Sequence, residues 1–430
     1  MVKIVTKIMR HLAIKILIGM GVFGVFSPDT SAQISKKNAE KFGFFLEGNR
    51  RFTKIPFQLH ANLIVVPIKI NDSDTLRFIL DTGVSTTIVT DPTTLQKQNL
   101  HFTRQVKLAG AGEGTPLTAS VAIGNTIRMG VMRANFQNIV VLNEDALKLS
   151  EYVGVPIHGI FGYDIFNNFV VTIDFGERNI YLFEPGYYKY RKWKGDKYPI
   201  SVEETKPYVA MLAVVDKGRE TPIKVLIDTG AGHALLLDRS AVDAIKIPEK
   251  QLKAQLGRGL NGVINGSLGR IEKIKFGRHE LRDVLTSFPD SLSFGMKLSP
   301  INERQGNIGC ELLRRFRVTF NYSERYLVLK PIRQTLKETF EHDMSGVELR
   351  ARGIDLREYV IDHVMGDSPA SRAGLQKDDV IVYINNQQAN ELNISQIYKM
   401  LQRKEGDEIL LLLRREGSVF FTKFQLKRMI

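Results

Sequence analysis

Asp81 and Asp228 stand 147 residues apart, and each ends an apolar triplet and begins an Asp-Thr-Gly. The two copies read RFILDTGVSTTIV (residues 77–89) and KVLIDTGAGHALLL (residues 224–237). A carboxylate at the end of a buried apolar run is costly unless it is paired or neutralised. Two carboxyl groups at hydrogen-bonding distance cannot both ionise cheaply, so they share a proton and titrate in two separated steps. Such a pair can hold a water. The ionised member takes a proton from that water, and the protonated member donates to the carbonyl under attack. A hydroxyl of Thr82 or Thr229 reaching to the opposite turn locks the two loops together. Gly83 and Gly230 permit the tight backbone that aims amide N–H groups at the carboxylates.

The elements that bring the two acids together come from an internal duplication. GIFGYDIFNNFVVTIDFGER begins at Gly159 and GNIGCELLRRFRVTFNYSER at Gly306, at the same 147-residue offset. Gly162 matches Gly309, Phe169 matches Phe316, Thr172 matches Thr319 and Glu177 matches Glu324. LIVVPIKI (63–70) and YVAMLAVV (208–215) are the leading strands of the two copies. Short β runs with turn residues between them predict all-β lobes. The expected fold is mainly β, with two duplicated barrel-like lobes about a pseudo-twofold axis, at 54–186 and 199–332. On that axis Asp81 faces Asp228.

With these residues in place, the chain resembles the aspartic proteases of pepsin and retropepsin type. The resemblance covers residues 54–331. It rests on the two apolar-apolar-Asp-Thr-Gly motifs and on a later apolar-apolar-Gly, here Ile160-Phe161-Gly162 and Asn307-Ile308-Gly309. It implies that Asp81 and Asp228 are the catalytic pair and that Thr82, Gly83, Thr229 and Gly230 complete their loops. Asn307 departs from the pattern by replacing an apolar residue. Pepsins often carry Ser after the Gly, where Val84 and Ala231 stand here, closer to retropepsins. Fewer bonds to the charged form leave the pair's pKa values higher, which predicts an optimum at mildly acidic to near-neutral pH. Residues 108–123 and 256–271 read as glycine-tipped hairpins that fold over the cleft, with Gly110 and Gly112 matching Gly257 and Gly259. Closure of such flaps excludes water and clamps an extended peptide.

Other motifs point elsewhere and are set aside. GRGLNG (257–262) is a literal G-x-G-x-x-G, but no helix pattern follows it, as a dinucleotide site requires. His279-Glu280 lacks the second His of a zinc motif, and the eight His show no ligand spacing. No cofactor and no metal are expected. Cys310 takes the repeat position of Tyr163 and reads as a packed core residue. YYKYRKWKGDKY (187–198) mixes bases with aromatics, but it lies where one lobe hands over to the next. It reads as an interlobe linker, and no nucleic-acid partner is expected.

After a charged stretch at 333–343, read as a linker, the pattern changes. SPASRAGLQKDDVIVYINNQQ (368–388) predicts a turn, a short helix and a strand. Ile394, Ile397, Tyr398 and Leu401 form one face of a helix opened by Asn393. Residues 344–430 resemble a bacterial PDZ domain, a small α+β module. The resemblance implies that a peptide adds as a strand beside this helix, with its terminal carboxylate on loop N–H groups near Ser345, Gly346 and Val347. The usual Gly-apolar-Gly-apolar loop pattern is absent.

The chain has 430 residues, one cysteine and a net charge of +14. One cysteine excludes an internal disulfide framework. At the N-terminus Lys3, Lys7, Arg10 and Lys15 precede an apolar run of eleven residues (16–26) and small residues at 30–32. That is the pattern of a secretory signal peptide over 1–32, and the run is short of the roughly 20 residues that span a bilayer. Residues 33–53 read as an N-terminal extension. These observations combine into an exported bacterial aspartic endopeptidase, periplasmic or extracellular, acting on peptide or protein substrates, with no stable membrane span after cleavage. The alternative is a non-catalytic peptide-binding scaffold that keeps the pair of acids unproductively. The oligomeric state is left open, since the duplication supplies both aspartates from one chain.

Overall fold

In a computed structural model of the chain, residues 41–215, 218–238, 248–290 and 304–430 are described. The expected signal peptide and the first part of the N-terminal extension lie outside these residues. Residues 41–430 form one compact unit.

Each lobe is built around a short strand wedged between the two ends of an Asp-Thr-Gly loop. In the first lobe, Gly159–Phe161 runs parallel to Leu76–Leu80 and antiparallel to Ile88–Val89. In the second, Gly306–Ile308 runs parallel to Glu220–Ile227 and antiparallel to Leu235–Leu237. All three residues of Leu235–Leu237 and of Gly306–Ile308 are buried. This explains why these runs are continuously apolar in the main rather than alternating. Long hairpins complete each lobe, His101–Leu108 with Leu117–Met129 and Gln251–Gly259 with Gly262–Phe276.

The lobes are joined by a six-stranded sheet to which each contributes three strands. Its order is Asp196–Pro199, Tyr326–Pro331, Phe316–Asn321, Val170–Asp174, Asn179–Phe183 and Phe52–Pro56. At its centre Thr172 pairs with Thr319, and their hydroxyls meet at 2.8 Å. The duplication is therefore legible as a twofold relation at a single point. Two stretches read as connectors take part in this packing. Residues 196–199 of the interlobe segment are a strand of the sheet. Phe340, in the charged stretch before the last domain, lies buried under the Arg315 guanidinium at 3.8 Å. The part of the N-terminal extension that is described also folds in, since Gly43–Leu46 pairs with Met132–Leu142.

Residues 344–430 carry their own sheet and their own core, with the helix Ile394–Leu401 closed by an Asn393–Gln396 capping box. This module docks on both lobes. The Tyr152 hydroxyl donates to Asp362 at 3.2 Å, Arg350 pairs with Glu151, and Gly154 is so close to Ile394 that a Cβ would stand 2.5 Å from its Cγ2. Among the described residues, no helix is long and apolar enough to cross a membrane.

The core runs through both lobes, with Phe166 of the first lying edge-on against Phe320 of the second at 5.2 Å. Phe320→Ala opens a cavity at this junction and is expected to cost about 3–5 kcal/mol. Denaturant unfolding measures it, and a loss below about 1 kcal/mol contradicts a shared core.

Candidate active site

The wedge strands dictate where the acids sit. Asp81 N–H donates to Phe161 O at 2.9 Å, and Asp228 N–H donates to Ile308 O at 2.9 Å. These are the last sheet bonds before each chain turns away, so each carboxyl is presented at the tip of a loop whose two ends are pinned in the same sheet.

The loops are locked to one another by four bonds. Thr82 N–H donates to Thr229 Oγ1 and Thr229 N–H to Thr82 Oγ1, both at 3.0 Å. The Thr82 hydroxyl donates to Ile227 O at 2.6 Å, and the Thr229 hydroxyl to Leu80 O at 2.9 Å. Both threonines are fully buried. The lock brings the carboxyl groups of Asp81 and Asp228 into contact. Gly83 N–H donates to Asp81 Oδ1 at 2.6 Å and Gly230 N–H to Asp228 Oδ1 at 3.0 Å. The N–H groups of these glycines donate to the carboxylates as the sequence reading expects. Neither has positive φ. Gly230 is required by space, since a Cβ there would stand 2.2 Å from Asp81 Oδ2, while one on Gly83 would meet Asp81 Oδ1 at 3.0 Å.

Burial is the largest effect on Asp81 and pushes its pKa well above the carboxylate range, and the neighbouring Asp228 charge pushes the same way. The Gly83 N–H works against both. The pair is thus arranged to keep a proton on Asp81 where an isolated carboxyl would have lost it. The buried Cys310 thiol donates to Thr229 O at 3.3 Å and is driven up by burial and then by the acids, so it is held neutral.

Asp228 has a partner that Asp81 lacks. Asn307 Nδ2 donates to Asp228 Oδ2 at 3.0 Å, and His233 Nε2 lies 2.9 Å from Asn307 Oδ1. In the sequence Asn307 is only a departure from an apolar pattern, and His233 has no signal beyond its place five residues after Asp228.

The two hairpins meet tip to tip. Gly110 N–H donates to Asn261 Oδ1 at 3.0 Å, Asn261 N–H to Ala111 O at 2.9 Å, and Asn261 Nδ2 to Gly114 O at 3.2 Å. Gly110, Gly112 and Gly259 all sit in this contact, where a Cβ would come within 3 Å of the opposite tip. Gly257 does not. It marks an irregularity in its strand, with φ +140°. Leu260 at the tip packs on the same apolar cluster as Val84, and Ile160 belongs to that cluster. Asn261, the residue that ties the tips, was not singled out by the sequence.

In the C-terminal module, Ser345, Gly346 and Val347 do form a loop of convergent N–H groups, but the chain's own Asp343 occupies it. Its carboxylate accepts from the three N–H groups at 3.2, 2.5 and 3.1 Å and from the Ser345 hydroxyl at 2.6 Å. Burial outweighs these bonds and pushes Asp343 up to about 6. The next outward donor, Leu349 N–H, is taken by the Tyr398 hydroxyl at 2.8 Å. Arg258 of the lobe-2 hairpin lies over the Tyr152 ring at 4.5 Å and 3.9 Å from Asp362. Among the described residues no group of three or more His, Cys, Asp or Glu side chains could hold a metal ion.

The aspartyl protease family matches twice, at residues 66–165 and 213–311, and the PDZ domain family matches residues 360–415. Among solved structures, the aspartic proteinase from Irpex lacteus is similar at 12% identity, over 67% of this chain and 99% of that one, with a TM-score of 0.43. No curated protein matches the chain.

Two outcomes follow from the geometry. A carboxyl whose pKa is raised on folding favours the native state below the ordinary value of about 4, and that contribution is lost as pH rises towards its native value. Asp81→Asn removes the cost, so it is expected to raise Tm at pH 7 by at least about 2 °C and to change it little at pH 3. A lowered Tm at pH 7 contradicts the assignment. Asn261→Ala removes two bonds worth roughly 1 kcal/mol each, so the Gly110 amide is expected to exchange with solvent about tenfold faster. Unchanged exchange contradicts the tip-to-tip contact.

Proposed function

We propose that this chain, with its two aspartyl protease domains and its PDZ domain, is an exported aspartic endopeptidase. The observation that carries the reading is the buried threonine lock, which holds Asp81 and Asp228 in contact at the junction of the lobes. Asp228 is the base: it takes a proton from the attacking water. Asp81 is the acid: it donates to the peptide carbonyl oxygen as the tetrahedral species forms. As the C–N bond breaks, the proton gained by Asp228 passes to the leaving amine, Asp81 takes back a proton from a hydroxyl of the tetrahedral diol as the product carboxyl forms, and the acids return to their starting state without a covalent intermediate. The hairpins tipped by Gly110, Gly112 and Asn261 cover an extended peptide and exclude water.

The signal-peptide pattern at 1–32 supports an exported protein, and the resemblance of residues 344–430 to a bacterial PDZ domain supports a bacterial one, periplasmic or extracellular, acting on peptides or proteins. The PDZ domain binds or positions those substrates. Its contact with Arg258 supports a place beside the lobe-2 hairpin. A peptide that pairs with the strand Val347–Arg352 has to displace Asp343 from the loop.

The test is to incubate the chain from Gln33 onward with a diverse peptide pool from pH 3 to 8 and to map new termini by mass spectrometry. Wild type is expected to cut internal bonds, with an optimum at mildly acidic to near-neutral pH. The alkaline limb reflects loss of the Asp81 proton, whose pKa is raised. Asp81→Asn and Asp228→Asn are each expected to lose at least about a thousandfold of that activity. A folded wild type that cuts nothing supports the scaffold alternative, and a sharp optimum below pH 3 contradicts the charge argument.

A further inference from the structure

The duplication makes one difference between the lobes conspicuous. At the position where the first lobe carries Ile160, the second carries Asn307. Ile160 has no polar atom to offer Asp81. Asn307 is buried, 6% exposed, and touches Asp228 Oδ2. We propose that Asn307, held in orientation by His233, is a positioning residue that makes Asp228 the ionised member of the pair and leaves the shared proton on Asp81. The inference rests on the proposed function for its consequence in catalysis, but not for its geometry.

The argument follows from donors and acceptors. An amide presents NH2 on one side and a carbonyl oxygen on the other. With NH2 directed at Asp228, the oxygen Oδ1 faces His233 Nε2 at 2.9 Å and has to receive a proton from it. The neutral ring therefore carries its hydrogen on Nε2. The run His233 to Asn307 to Asp228 points every hydrogen towards the carboxylate. If Asp228 were the protonated acid on Oδ2, the amide would have to turn over and His233 would have to change tautomer. The run thus favours a charged Asp228, and hydrogen bonds to a charged group are about twice as strong as neutral ones. The buried His233 faces Asp228 and Asn307. Burial lowers its pKa and so favours the neutral ring, with the Asp228 charge and the Asn307 hydrogen bond opposing that shift.

The experiment is a titration of the chain labelled at aspartate Cγ, followed by carbon NMR without any substrate. In wild type, Asp228 is expected to ionise first and Asp81 last. Asn307→Ile copies the lobe-1 residue and is expected to raise the first ionisation by about one pH unit, the worth of a hydrogen bond to a charged group. Asn307→Ile combined with Ile160→Asn is expected to reverse the order, with Asp81 first. His233→Ala leaves the Asn307 amide free to turn and is expected to give part of the same shift, which keeps the test decisive if the Asn307 variant does not fold. The acid limb of peptide cleavage is expected to move upward by the same unit. An unchanged order and unchanged first ionisation in all variants overturn the proposal. Because the titration needs no turnover, it decides this even if the wild type cleaves nothing.

Discussion

Four hydrogen bonds between Thr82, Thr229 and the strand ends Leu80 and Ile227 are the constraint on which the rest of the molecule depends. Each is worth only about 1 kcal/mol net. They matter because each satisfies a donor that the contact between the lobes has removed from water, and an unsatisfied donor there costs more than the bond gains. The six-stranded sheet and the shared core bring the lobes within reach. The threonines then fix the loops in a register that leaves no room at Gly230 for anything beyond hydrogen. Two acids are held together by interactions that do not involve their own charges.

That separation of duties explains the electrostatics. Burial and mutual repulsion both disfavour ionising the pair fully, so the fold meets a cost there that the threonine lock and the core offset elsewhere. One proton relieves most of it. Perfect twofold symmetry would leave that proton equally placed on either acid. Lobe 2 breaks the symmetry with a single polar side chain in an otherwise apolar wedge strand, Asn307, which donates to Asp228 Oδ2.

Much of this was legible in the sequence. The 147-residue offset ties Thr172 to Thr319, and the structure places the two side by side. The helix opened by Asn393 forms as its pattern indicates. What was not legible shares one physical cause. Asn261 against Gly114, Asn307 against Asp228, and Arg258 against Asp362 are contacts between loops or strands far apart in the chain, and no local periodicity encodes them. Asp343 was hidden differently. It lies in a charged stretch that reads as solvated, yet its partners are the N–H groups two to four residues on, a local bond that polar composition conceals. The glycines at 83 and 230 were recognisable as donors to the carboxylates, but only coordinates show how closely a carboxyl approaches them.

The central claim is that Asp81 and Asp228 act as one unit carrying a single proton, on Asp81. Infrared difference spectroscopy at pH 6 tests it directly, by subtracting the spectrum of Asp81→Asn, and separately that of Asp228→Asn, from wild type in the carboxyl region. The account predicts that the Asp81 substitution removes one protonated-carboxyl band and that the Asp228 substitution removes one carboxylate band. If the Asp81 substitution removes only a carboxylate band, Asp81 is ionised in the wild type and the account is wrong; if the Asp228 substitution also removes only a carboxylate band, the pair shares no proton at all.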